Sequence, residues 1–223
     1  MWPFKDKKIA FFIPCLFRRK DNFIFECVEG IHNNYPDSDI IIVDSKSENT
    51  DYINELQAQY GYKIKNIMNN SAYEWGAYIK AHAEFRDKYD IIFCIQDSLI
   101  LKSQIILNGL DDKTVLVFEN IPNDFGTDSG CKGFCDFEEL EDYSGMGGPL
   151  MCVWNSFIIT NDAINKMIDS KFFQSVRGPD TKAGSRFWER AWGICFGAVD
   201  IKTKIFDNFV VHQQYTKKFG GRG

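Results

Sequence analysis

The sequence predicts an α/β protein with a mostly parallel central sheet and flanking helices. Two observations carry that prediction. Over the first hundred residues, short apolar runs of strand length alternate with longer amphipathic segments, and that alternation demands crossover connections and parallel neighbours. The runs themselves, such as Ile40 to Val43 and Ile91 to Ile95, are apolar on both faces, as strands buried between two helix layers must be.

In chain order, Ile9 to Ile13 reads as the first strand, ended by Pro14, which has no amide hydrogen for a ladder. Asp21 to Asn34 reads as a helix, opened by a capping residue and carrying Phe23, Val28 and Ile31 at helical spacings. The second strand, Ile40 to Val43, finishes in Asp44-Ser45. A helix from about Asn49 to Tyr60 stops at Gly61. Tyr62 to Ile67 is the third strand, Asn69-Asn70-Ser71 a polar turn, and Trp75 to Arg86 the third helix. The fourth strand, Ile91 to Ile95, is broken by the polar pair Gln96-Asp97.

The second half changes character. A strand at Thr114 to Phe118 leads into residues 120–148, an irregular stretch rich in Gly, Asp and Glu, of the kind that is more often a functional loop than filler. Met151 to Thr160 reads as a strand, Asp162 to Ile168 as a helix capped by Asn161, and Ser185 to Cys195 as another helix with Ser185 as its cap. Asn208 to Val211 is the last strand, followed by His212 and a basic tail. No repeat, low-complexity tract or linker interrupts the chain, so one domain over 1–223 is expected.

Composition narrows the function. A formal charge of −5 and a pI near 5.3 argue against general nucleic-acid binding, which needs a basic surface. Seven cysteines without framework spacing suggest reduced thiols and a cytoplasmic location. Cys131 and Cys135, in CKGFC, lack the C-x-x-C spacing and have no matched second pair, which disfavours zinc, and DFEELED reads as a solvated acidic face. His32 and His82 fall among apolar helix neighbours, as structural histidines do. No apolar stretch approaches the roughly 20 residues of a membrane helix, so no integral membrane segment is expected. Neither GxGxxG nor GxxxxGK[ST] follows the first strand, which disfavours dinucleotide and P-loop enzymes.

The carboxylates Asp44 and Asp97 both fall at predicted C-terminal ends of parallel strands, where ligands of such sheets collect. With IAFFIPC, IIIVDSKSENT, NNSAYEWGAYIKAH and IIFCIQDS in that order, the chain resembles the GT-A glycosyltransferases, in particular the family 2-like members that use nucleotide-diphosphate sugars. The resemblance implies a GT-A-like fold, with a nucleotide-binding half over about 1–101 and an acceptor-side half over about 102–223. It implies a donor site at Pro14, Asp44, Ser45, Gly76, Gln96 and Asp97. The family's Asp-x-Asp metal motif reads Gln96-Asp97-Ser98 here, leaving Asp97 as the one carboxylate for Mn²⁺ or Mg²⁺, hard ions that accept phosphate and water as further ligands.

By the same resemblance His212, just after a late strand, supplies a second metal ligand, and Lys217 and Lys218 close over the diphosphate. Glu189 in SRFWER is the expected catalytic base, with Asp180 in RGPDTK as the alternative. Gly147 and Gly148 resemble a turn that lets donor and acceptor approach the backbone, and Trp154, Trp188 and Trp192 either offer faces for a sugar ring or, as such tryptophans more often do, belong to the core. The implied partners are a UDP, GDP or dTDP sugar and a glycan or glycoprotein acceptor, with inverting transfer. A binding module of the same fold is the alternative. A nucleotidyltransferase ranks lower, because CLFRRKDN stands where its glycine-rich loop belongs.

Overall fold

A computed structural model of the chain describes residues 6–17, 23–119, 150–205 and 211–213. Its first half is built from β1 (Ile9–Cys15), α1 (Ile24–Asn34), β2 (Asp39–Asp44), α2 (Asp51–Tyr60), β3 (Ile64–Ile67), α3 (Tyr73–Phe85), β4 (Ile91–Cys94) and β5 (Leu99–Leu101). The second half contributes β6 (Thr114–Val117), β7 (Phe157–Thr160), α4 (Asn161–Ile168), α5 (Lys171–Ser175), α6 (Lys182–Gly197), β8 (Lys202–Ile205) and β9 (Val211–Gln213).

The main sheet has seven strands in the order β3-β2-β1-β4-β7-β6-β8. β3, β2, β1 and β4 are mutually parallel; β7 runs antiparallel to β4 and to β6, and β8 is parallel to β6. The protein is therefore α/β with a mostly parallel mixed sheet, and one sheet passes through both halves of the chain. A separate pair, β5 and β9, is antiparallel.

Alternation along each strand divides the core in two. Phe12, Val43, Ile92 and Phe157 face a cluster completed by Tyr78 of α3 and by Trp188, Trp192 and Phe196 of α6. Phe11, Ile42, Phe93 and Ile158 face the other layer, with Ile24, Val28 and Ile31 of α1 and Leu56 of α2. Every residue of β1 is buried, so both faces are covered, as expected of a central parallel strand.

Several boundaries correct the sequence reading. Pro14 does not end β1; it pairs in register with Val43. The reason is directional. Phe12 accepts from the Ile95 amide on the β4 side, so the period of two turns the Pro14 nitrogen to that side, one step past β4, where no ladder bond is lost. The expected strand over 151–160 is shortened to β7, because Trp154 and Asn155 take left-handed conformations (φ 58° and 52°) in a turn ahead of it. That turn is fixed by Trp192 Nε1 donating to Asn155 Oδ1 at 3.1 Å and Asn155 Nδ2 donating to the Ser185 carbonyl at 3.1 Å.

Two caps also move. Thr160, not Asn161, caps α4, accepting from the Ala163 amide, and Thr181, not Ser185, caps α6, accepting from the Gly184 amide at 3.1 Å. β5, α5 and β8 were not anticipated. The long loop, with Gly147, Gly148, Cys131 and Cys135, lies outside the described residues, as do Asp21, Asn208, Lys217 and Lys218.

Candidate functional site

The strand order places a topological switch point between β1 and β4, since the chain steps outward from β1 through β2 to β3 and then returns to β4 on the other side. Ligands of open α/β sheets bind in the crevice at such a point, beyond the strand C-termini. A cavity of about 560 Å³ opens there, within the size range of small-molecule sites.

Each parallel strand delivers part of its wall. Pro14, Cys15 and Leu16 come from the end of β1, Ser45 and Lys46 from the end of β2, and Asp97 from the turn after β4. Asn70, Ser71, Tyr73 and Glu74 come from the loop after β3 and the first turn of α3. The second half of the chain adds Asp180 and Lys182 at the start of α6. Three carboxylates and two ammonium groups thus share one cavity. Lys46, Asn69 and Tyr73, at or beside the wall, all have positive φ (66°, 63° and 52°). Such backbone is costly for residues with a Cβ, and its clustering beside a cavity is typical of functional loops.

Of the residues singled out from the sequence, Pro14, Ser45, Asp97 and Asp180 line this one cavity. Others hold it from behind. Asp44 is fully buried; its carboxylate accepts from the Tyr52 hydroxyl at 2.8 Å and the Ser47 amide at 2.9 Å, and its carbonyl from the Asn70 amide at 2.8 Å. It ties the loops after β2 and β3 to α2. Burial, with the neighbouring Cys15 and Asp44, pushes the Tyr52 phenol far above its usual range, so this hydroxyl remains a donor.

Gly76 also acts from behind the wall. A Cβ there would lie 2.5 Å from Asn70 Oδ1 and 2.7 Å from Ala72 Cβ, so glycine makes room for the buried Asn70. Asn70 Nδ2 in turn donates to Ser45 Oγ at 2.9 Å and to the Tyr73 carbonyl at 2.7 Å. Gln96 Nε2 donates to Glu74 Oε1 at 2.8 Å, and Ser185 Oγ donates to Glu74 Oε2 at 2.6 Å.

Glu189 lies four residues beyond Ser185 on α6, so the two share a helix face. Its side chain is half-buried, and burial, reinforced by the negative Glu74, raises its carboxyl to about 7. Arg190, Lys182 and Arg186 pull the other way without cancelling that effect. Glu189 is not itself among the residues lining the cavity; a carboxyl group poised near neutrality can take or give a proton at physiological pH.

Trp188 requires a correction. Its side chain is wholly buried, packed against Trp75, Phe173, Phe187 and Trp192, so no face is left for a sugar ring. Trp192 is equally buried. His212 lies on β9, opposite Ile100 of β5, which places its backbone close in register to the turn carrying Asp97. Among the described residues no three His, Cys, Asp or Glu side chains cluster closely enough to hold a metal by themselves.

Sequence reasoning passed over Glu74, Lys46 and Lys182. The signal for Glu74 was legible: a carboxylate in the first turn of a helix that starts directly beyond a strand's C-terminal end. No protein-family model matches the chain, and no curated protein matches it.

Proposed function

We propose that the protein is a sugar-nucleotide-dependent glycosyltransferase of GT-A-like architecture. The observation that carries this reading is the cavity at the β1/β4 switch point, where Asp97 stands with Ser45, Lys46, Asn70 and Lys182. Hydroxyl, amide and ammonium groups suit a ribose and a diphosphate, and the carboxylates suit sugar hydroxyls. Asp97 is a hard oxygen donor of the kind Mn²⁺ or Mg²⁺ takes alongside phosphate oxygens, with His212 as the further candidate ligand from β9. A divalent ion bound there supplies neutralisation of the charge that develops on the departing diphosphate.

Lys46 and Lys182 add fixed positive charge to the same cavity. Glu189 is the proposed base: near neutral pH it can accept the proton of an acceptor hydroxyl as that oxygen attacks the anomeric carbon, which gives inversion. Asp180, which lines the cavity wall, is the alternative base. The acceptor, a glycan or glycoprotein, would enter from the α6 side.

The test is a donor panel of UDP, GDP and dTDP sugars, assayed with and without Mn²⁺ for transfer or slow hydrolysis. One donor is expected to turn over, and Asp97→Ala is expected to reduce that rate at least about 100-fold, as loss of a principal electrostatic group does. Full activity of Asp97→Ala would overturn the assignment. Metal-independent binding of a sugar nucleotide without turnover would point to a binding module.

A further inference from the structure

Glu74 occupies a place that the transferase reading leaves unexplained. It belongs to the first turn of α3, lines the cavity, and uses both carboxylate oxygens at once. One accepts from Gln96, the residue before Asp97; the other accepts from Ser185, four residues before Glu189 on α6. The three residues come from three separate elements, and their hydrogen bonds are short, at 2.8 and 2.6 Å. Charge-assisted bonds of this kind are the stronger and more directional ones.

We propose that Glu74 is a positioning residue of the transferase site, a clamp that fixes the Gln96-Asp97 turn against α6 and so sets the separation between the diphosphate end and the base end. The inference rests on the transferase reading for its consequence in catalysis, and on the two hydrogen bonds for its geometry. Both ends of the reaction must be held at once, and displacement of a reacting group by about 1 Å can cost on the order of 100-fold in rate.

The packing around it supports a rigid clamp. Trp75, the next residue on α3, is wedged against Trp188 and Phe173 and against Gly178, where a Cβ would meet the indole at 2.4 Å. Gly76 follows, closed on Asn70. Glu74 therefore sits on backbone locked on both sides. The clamp also has an electrostatic signature. Glu74 is the negative group acting on Glu189 from α3; Cys152 adjoins from the segment before β7, and Lys182, Arg186 and Arg190 act from α6 itself.

The experiment compares wild type, Glu74→Gln and Glu74→Asp by two measurements. The first follows the Glu189 carboxyl carbon by ¹³C NMR as pH is varied, assigned by its loss in Glu189→Gln, and needs no substrate. Glu74→Gln, which keeps the shape and removes the charge, is expected to move the Glu189 midpoint down; Glu74→Asp, which keeps the charge, is expected to move it less. The second is turnover of the donor identified in the panel. Glu74→Gln is expected to lower kcat at least about 10-fold while changing donor KM less than about 3-fold, with the acid limb of kcat shifted to lower pH.

A folded Glu74→Gln protein with wild-type kcat, or with an unmoved Glu189 midpoint, overturns the inference. If the wild type turns over no donor, the transferase reading and the catalytic role of Glu74 fall together. The NMR arm would then still decide whether Glu74 and Glu189 are coupled.

Discussion

At the scale of single residues, the least ordinary group is Glu189. Its carboxyl is raised to about 7 by burial and by Glu74, so the folded protein holds a proton there that the unfolded chain releases near the usual carboxylate value. The sign follows from linkage: between about pH 4.5 and 7 the native state binds more protons, and stability falls as pH rises through that window. Below it the cost is absent; above pH 7 it is present in full. Glu189→Gln, a neutral isostere, is therefore expected to unfold at higher denaturant than wild type at pH 8, by on the order of 2 to 3 kcal/mol. The two proteins should converge below about pH 4.5. Urea titrations at four pH values measure this, and a pH-independent difference would show that Glu189 is not perturbed. His82 is a contrasting case: it is buried, Nε2 lies 2.7 Å from Asn165 Oδ1, and burial lowers its pKa, so it braces α3 on α4 as a neutral ring.

At the scale of elements, α6 joins the site to the core. Its N-terminus supplies Lys182 to the cavity, its first turns supply Ser185 and Glu189, and its buried face supplies Trp188, Trp192 and Phe196. Thr181 holds the first turn by accepting from the Gly184 amide, and losing such a cap costs about 1 kcal/mol. Thr181→Ala is expected to lower the urea midpoint accordingly with an unchanged m-value, and to weaken donor binding through fraying at Lys182, while Thr181→Ser restores both. The same helix shows what was legible in the sequence. Its apolar face gave a helix over 185–195, but the start slipped to Ser185, because Ser185 and Thr181 are equally good caps by type and only the burial of Ser185 against Glu74 decides between them. β1, β2 and β4 were readable because each is apolar on both faces; β8, KTKI, is mostly exposed and carries no such pattern. α5 is a short segment, below the length at which periodicity speaks. In the site, Asp97, Ser45 and Asp180 were legible from strand and helix ends. The burial of Asp44 was not, since it depends on what α2 and the loop after β3 place against it.

At the scale of the molecule, the charge balance at the cavity decides how a metal would bind. The protein carries a net charge of −5, yet the cavity sets Lys46 and Lys182 against Glu74, Asp97 and Asp180. One of those carboxylates has other geometry to satisfy, since Glu74 accepts from Gln96 and Ser185; Asp180 comes from the segment before α6. Asp97, one carboxylate, is too few ligands to strip water from a hard ion that favours about six oxygens, so most of the coordination must come from solvent or from a substrate diphosphate. Under the proposed function, metal and nucleotide therefore bind with positive coupling, and linkage makes that coupling reciprocal. Calorimetry is expected to give millimolar Mn²⁺ affinity for the protein alone, tightening at least about 10-fold when the nucleoside diphosphate is present, with the same factor gained by the nucleotide when Mn²⁺ is present. The Mn²⁺ affinity of the free nucleotide must be subtracted. Asp97→Asn should remove the coupling while leaving the metal-free nucleotide affinity within about 3-fold, because Ser45, Asn70 and the two lysines remain. Equal Mn²⁺ affinity with and without nucleotide would mean that the protein alone completes the coordination shell, and would move the metal site away from Asp97.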